Sequence, residues 1–142
     1  MDEETSGRGA AQPQEKPRRC HGVKHFFAAF GYSMDGLRAA FKNESAFRQE
    51  TLLQILNVAL ALAIRLPWQT RALLISLGFI LLMTELLNSA LEALTNLASP
   101  EWHPLAKRAK DIGSAAVFVM LVALGTAWAI AIFRTAGWAP DA

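Results

Sequence analysis

The chain has 142 residues, 53% of them apolar, with a mean hydropathy of +0.24, a net charge of +2 and one cysteine. That hydropathy is high for a water-soluble domain, and Cys20, alone in a polar stretch, excludes an internal disulfide. The basic residues come without an aromatic-interleaved platform or zinc-ligand spacing, so nucleic acid is not an expected partner.

Residues 1–22 are polar throughout and carry no signal-peptide core; they are expected to form a disordered cytoplasmic tail. From Val23 the pattern becomes helical, with Phe26, Phe30, Leu37 and Phe41 apolar and Lys24, Asp35, Arg38 and Lys42 polar. An aromatic, basic amphipathic helix of this kind suits the membrane interface. Gly31 and Gly36 weaken it and are expected to break it near Tyr32. Three hydrophobic segments follow. Thr51 to Ile64 reaches spanning length only with Phe47 and Leu66, and it contains Gln54 and Asn57. Ala72 to Ala98 is long enough to span, with Glu85 and Glu92 in its second half. Ile112 to Phe133 runs without a charge. The separators "RLPWQTR" and "SPEWHPLAKRAKD" hold prolines, charges and the belt-type aromatics Trp68 and Trp102.

The expected fold is therefore all-α: an interfacial helix plus three transmembrane helices, forming an oligomeric bundle. Residues 23–133 would be the membrane-embedded domain and 134–142 a short periplasmic tail. With the N-terminus in the cytoplasm, eleven lysines and arginines fall on the inner side and three (Arg65, Arg71 and Arg134) on the outer. The positive-inside rule selects that orientation.

Glu85, Asn88, Ser89 and Glu92 are spaced i, i+3, i+4, i+7 and so share one helix face, which Asn96 extends. Asn and Ser at such positions commonly join helices. Two carboxylates on the same stripe call for more, since an intramembrane acid marks a functional site by default. Proton or ion relay, metal binding and general-base catalysis all remain open at this point. Glu44 and Glu50 stand at the mouth of the first hydrophobic segment, and Lys110 and Asp111 close the second separator. Glu44 could join Glu92 around Mg²⁺, a hard cation that prefers oxygen ligands and brings phosphate with it. The chain has neither a GxxxxGK[ST] loop nor a Gly-rich kinase loop.

The stretches "GYSMDGLRAAFKNESAFRQE", "ELLNSALEAL" and "EWHPLAKRAKDIGSAAV" resemble the bacterial diacylglycerol kinase family of small integral-membrane lipid kinases, in family order and spacing. The resemblance implies phosphorylation of diacylglycerol to phosphatidic acid with ATP as donor and Mg²⁺ as cofactor, in the bacterial inner membrane. It also implies a homotrimer with sites shared between neighbouring subunits. By motif, Glu85 would be the general base, with Asn88 helping to position the site, and Glu44 and Glu92 would hold Mg²⁺. Nucleotide would be contacted by His25, Tyr32, Glu44, Glu92, Glu101, Trp102, His103, Lys110 and Asp111. Lipid would lie along Arg38, Ala46, Phe47, Arg48, Gln49, Glu50, Arg71, Glu85 and Ser114.

His25 stands where the family pattern has an arginine, and Asn96 where aspartate is common. Met34 and Phe41 occupy positions that are often tryptophan. "ESAFRQE" and "AKDIGSAAV" match the diacylglycerol-type pattern better than that of the family's undecaprenol kinases. Two rival readings from other classes are a non-enzymatic proton or ion relay through Glu85 and Glu92, and a membrane scaffold whose acids only join helices.

Overall fold

The computed structural model describes residues 23–136; the expected tail 1–22 and the last residues, 137–142, lie outside the described residues. Four helices account for nearly all of what is described: α1 (Val23–Asn43), α2 (Ser45–Ala63), α3 (Trp68–Ala98) and α4 (Pro104–Thr135). The chain divides into two compact units, one ending at Met34 and the other starting at Asp35.

In the first unit, Phe26 and Phe27 meet edge to face at 5.9 Å, and Phe26, Phe30 and Tyr32 are exposed. The break expected near Tyr32 does not occur, because α1 is helical without interruption from Val23 to Asn43. Each mid-helix glycine costs about 1 kcal/mol relative to alanine, a penalty that two glycines among 21 residues do not make decisive.

In the second unit, α3 packs against both α2 and α4. The buried positions explain how. On α2 they are Phe47, Glu50, Gln54, Asn57 and Ala61, and on α3 they are Leu74, Gly78, Leu81 and Glu85. These steps of three and four residues are the 3.5-residue seam of helices crossing at a shallow angle. Val117, Leu124 and Ala131 repeat every seven residues on α4 and join Leu66, Leu74 and Leu81 in the apolar core.

The seam is unusual in its chemistry. Its buried members include Glu50, Gln54, Asn57 and Glu85, whereas Leu52, Ile55, Leu62, Phe79, Leu87, Phe118 and Ile130 are exposed. A water-soluble protein hides such side chains and displays the polar ones. The inverse arrangement is stable where the surroundings are hydrocarbon. Among the described residues, α3 and α4 are the two helices long and apolar enough to cross a membrane. The 19-residue α2 falls short by composition, because Arg48, Glu50, Gln54 and Asn57 dilute its leucines.

A hydrogen-bond network binds the three helices where that dilution occurs. Asn57 Nδ2 donates to Gln54 Oε1 (2.8 Å) and to the Leu74 carbonyl of α3 (2.9 Å). Gln54 Nε2 donates to the Ile75 carbonyl at 3.2 Å, and the Trp128 indole of α4 donates to Asn57 Oδ1 at 2.8 Å. Gly78 makes room for it: a Cβ there would stand 1.7 Å from Gln54 Oε1.

The connections are tightly held. Glu44 is the single non-helical residue between α1 and α2, and Arg48 Nη1 reaches back to the Phe41 and Lys42 carbonyls at the end of α1. Arg71 Nε donates to the Ala61 carbonyl at 2.9 Å, placing a cation over the C-terminal end of α2, where the helix dipole is negative. Pro104 occupies the first turn of α4, whose N-cap His103 accepts from the Leu105 amide through Nδ1.

Candidate active site

Glu44 sits at the N-cap of α2 in an extended conformation, and its side chain makes no capping hydrogen bond. One and a half turns on, Glu50 faces inward on the buried seam. Opposite them α3 presents Glu85, Asn88, Ser89 and Glu92, the stripe expected from their spacing, and α4 adds Ser114 and Val117. Together with Ser45 and Ala46 these residues line one cavity of about 330 Å³.

Four carboxylates and no basic residue line this cavity. Glu85 is only 3% exposed and lies within electrostatic reach of Glu44 and Glu92; Glu50 lies within reach of Glu85. Asn88 lies beside Glu85, one turn along the same face of α3. Three buried polar atoms have no hydrogen-bond partner among the described residues: Glu50 Oε2, Asn88 Oδ1 and Ser89 Oγ. All three residues line this cavity. Buried polar atoms without partners cost about 1–3 kcal/mol each, and all three gather at this one cavity. Asn88 is further constrained from α4, where a Cβ on Gly113 would come within 2.3 Å of its Oδ1.

The donor set suits a hard divalent cation. Among the described residues no three acidic or histidine side chains converge as a closed metal cage. A pair such as Glu44 and Glu92 matches what Mg²⁺ takes from a protein, one or two carboxylates, with water and phosphate completing the shell.

Further along the same α3–α4 seam lies a second cavity of about 330 Å³, lined by Glu101, Trp102, His103, Lys107 and Lys110 together with Thr95 and Asn96. Lys110 follows one turn before Ser114 on α4, and Asn96 one turn after Glu92 on α3. The acidic cavity and the lysine-bearing cavity therefore share two helix faces. Asp111 is exposed and pairs with Lys107 at 2.5 Å.

Other residues singled out from the sequence fall elsewhere. Arg38 is exposed and pairs with Asp35 at 3.3 Å, and Gln49 is exposed. Phe47 is buried edge to face against Phe41. Arg71 stands 14 positions before Glu85 on α3, about 21 Å along the helix, and is engaged with α2. His25 and Tyr32 belong to the first unit, and both are exposed. The sequence reading missed Trp128 and the Gln54–Asn57 network. The three-and-four spacing of Phe47, Glu50, Gln54, Asn57 and Ala61 would have revealed which face of α2 is buried. Nothing local marks Trp128 as its partner, 71 positions away.

A helical bundle with an apolar exterior, a polar seam and a cavity carrying four carboxylates defines an integral membrane protein with a polar, acid-rich site. The family model for prokaryotic diacylglycerol kinase matches residues 31–132, which run from α1 through α4. The chain is 45% identical over 108 residues to a diacylglycerol kinase of Pseudomonas aeruginosa, covering 76% of this chain and 88% of the relative. It is 41% identical over 116 residues to a diacylglycerol kinase of Escherichia coli, covering 82% and 95%. A Helicobacter pylori diacylglycerol kinase is 39% identical over 114 residues, covering 80% and 89%. The chain belongs to the prokaryotic diacylglycerol kinase family.

Proposed function

We infer that this protein is a diacylglycerol kinase of the bacterial inner membrane, transferring the γ-phosphoryl group of ATP to the primary hydroxyl of diacylglycerol to yield phosphatidic acid. The observation that carries the reading is the cavity in which Glu85, Asn88, Glu92, Glu44 and Glu50 meet, in a chain of this family. Phosphoryl transfer asks little covalent chemistry of a protein and depends on positioning and charge neutralisation.

Glu85 is the general base: its buried carboxylate, oriented by Asn88, accepts the proton of the lipid hydroxyl as that oxygen attacks the γ-phosphorus and ADP departs. The orphaned Glu50 Oε2 and Ser89 Oγ hold the glycerol end of the lipid, with Ala46 and Ser114 alongside, while the acyl chains stay in hydrocarbon. Glu44 and Glu92 hold Mg²⁺, which supplies neutralisation of the phosphate charge. Lys110, with Glu101, Trp102 and His103 around the neighbouring cavity, binds nucleotide, and Asp111 joins that set. Arg38, Arg48 and Gln49 flank the lipid path and buried Phe47 supports it, while Arg71, engaged with the end of α2, stands apart from it.

The reading includes three membrane passes, with α2 as the first and the N-terminus in the cytoplasm, and α1 lying at the interface. The burial of Glu50, Gln54 and Asn57 supports α2 as a span, because its outward face is left to leucine and isoleucine. It also includes a homotrimer in which neighbours complete the site; exposed small residues such as Ala59, Ala115 and Gly125 would permit close helix approach.

The test is lipid-dependent transfer of labelled γ-phosphate by the purified protein in mixed micelles, with diacylglycerol and undecaprenol supplied in parallel. Transfer to diacylglycerol, lowered about 10²–10⁴-fold by Glu85→Gln with ATP binding retained, is expected. Preference for undecaprenol would move the protein to the other branch of the family. An ion flux abolished by Glu85→Gln without any ATP consumption would replace the kinase reading with a relay.

A further inference from the structure

Gln54 and Asn57 carry amides into an otherwise apolar length of the seam, and none of their side-chain hydrogen-bond partners lines the acidic cavity. Their two bonds to α3 go to main-chain carbonyls, those of Ile75 and Leu74, beside Gly78. Gly78 is the single glycine of α3, and one turn away in either direction stand Leu74, Ile75, Leu81 and Leu82. Gln54 can therefore press against the α3 backbone at one level and no other. The contacts also share one antiparallel register. Arg71 reaches the Ala61 carbonyl, Asn57 reaches that of Leu74, and Gln54 sits against Gly78, so each turn back along α2 matches a turn forward along α3. Ten residues further in that register Glu44 comes level with Asn88, and Glu50 lies on the way, within electrostatic reach of Glu85.

We propose that Gln54 and Asn57 are positioning residues for the acidic cavity: seated at Gly78, they fix the register of α2 against α3 and so hold Glu44 and Glu50 against Glu85 and Glu92. The kinetic consequence rests on the reading of that cavity as the phosphoryl-transfer site; the fixing of register does not. Helices in hydrocarbon gain nothing by hiding leucine, so apolar contacts alone hold α2 to α3 with little preference for depth. A buried amide does discriminate, because out of register its donors and acceptors face hydrocarbon unpaired. A single buried asparagine sets the register of coiled coils in the same way. A slip of one turn would carry Glu44 and Glu50 about 5.4 Å along α3, farther than a hydrogen bond reaches. Trp128 secures the same asparagine from α4, so all three helices meet at one level.

The experiment compares the wild type with the double variant Gln54→Leu/Asn57→Leu, full-length and in mixed micelles. Spin labels at Leu52→Cys on α2 and Leu87→Cys on α3, both exposed positions, report the register in a Cys20→Ser background. In the register above they differ in level by about 10 Å, so sliding changes their separation. Labelled chains are diluted with unlabelled ones, and electron–electron double resonance reads the distance within one chain. A narrow distribution is expected for the wild type, and one broadened or shifted by about 5 Å for the double variant. In unlabelled protein the same variant should lose at least about tenfold in kcat and need more Mg²⁺, since the α2 acids are displaced from the α3 acids. Its ATP KM should stay within about threefold, because the nucleotide residues lie on α3, α4 and the turn between them. Leu124→Ala, which opens the apolar core without touching an amide, is the control and should keep both the distance and kcat.

An unchanged distance distribution in the double variant overturns the proposal. So does a shifted distance with kcat intact, or an equal loss of kcat in Leu124→Ala, which would show that any loosening of the bundle suffices. If the double variant does not assemble, Gln54→Leu and Asn57→Leu carry the same test singly, each having lost one bond to α3. A wild type that transfers phosphate to no lipid overturns the kinase reading, and the spin-label distances then decide the register by themselves.

Discussion

Gly78 offers the sharpest test of how the bundle is held together, because its alanine variant sets two known magnitudes against each other. In an exposed mid-helix position, glycine to alanine stabilises by about 1 kcal/mol. At position 78 the new Cβ would lie 1.7 Å from Gln54 Oε1 and 2.7 Å from Asn57 Nδ2, far inside van der Waals contact. Gln54 could swing away only by giving up its bond to the Ile75 carbonyl and the one it accepts from Asn57. Interhelical hydrogen bonds in membranes average about 0.6 kcal/mol and reach about 1.7, so losing two costs about 1–3 kcal/mol. Residual overpacking adds about 1–3 kcal/mol. After subtraction of the propensity gain, Gly78→Ala should destabilise by about 1–5 kcal/mol. Unfolding in mixed micelles by a denaturing detergent, followed by near-ultraviolet circular dichroism at fixed protein concentration, reads this directly. Gly36→Ala, where a Cβ meets nothing within 4 Å, is the control and should be neutral or stabilising. Shortening Gln54 to alanine removes the collision, so the Gly78→Ala/Gln54→Ala pair should be less destabilised than the sum of its members. A loss under about 0.5 kcal/mol in Gly78→Ala, or strict additivity in the pair, would refute the reasoning.

Three further outcomes follow from the same geometry. Trp128→Phe keeps the ring and removes the donor to Asn57 Oδ1, so it should cost about 0.6–1.7 kcal/mol in the same assay, and no measurable loss would mean the indole bond is not formed. Glu44→Gln and Glu92→Gln should each raise the Mg²⁺ concentration needed for half-maximal transfer, and the double variant should be far from additive because both acids serve one ion; unchanged Mg²⁺ dependence in both would dismiss that pair as ligands. Glu44 and Glu85 line the same cavity within one chain, so oligomers mixed from Glu85→Gln and Glu44→Gln subunits should stay inactive. Recovered activity in such mixtures, with hybrid assembly confirmed by tag pull-down, would mean that the two acids meet across subunits.

The helical class, the three apolar segments and the turn regions could be read from the chain alone because each depends on local properties. Hydrophobic runs set α3 and α4, and prolines with charges set the loops, so the second and third expected segments fall inside the observed helices, while the first overruns α2, which ends at Ala63. The Glu85–Asn88–Ser89–Glu92 stripe was legible for a similar reason: helical spacing alone decides which residues share a face. The uninterrupted α1 was not, since two glycines weaken a helix by amounts its neighbours can outweigh.

What faces what is a different matter. That Glu44 and Glu50 of α2 join Glu85 and Glu92 of α3 in one cavity, and that Ser114 of α4 closes it, depends on how three helices cross. The same crossing brings the Trp128 indole to Asn57 and lets Gly78 receive Gln54, contacts whose partners are tens of residues apart. Local spacing determined which side chains lie on a common stripe; only packing decided which stripes meet. Among those stripes the polar ones turn inward because hydrocarbon offers their hydrogen-bonding groups no partner.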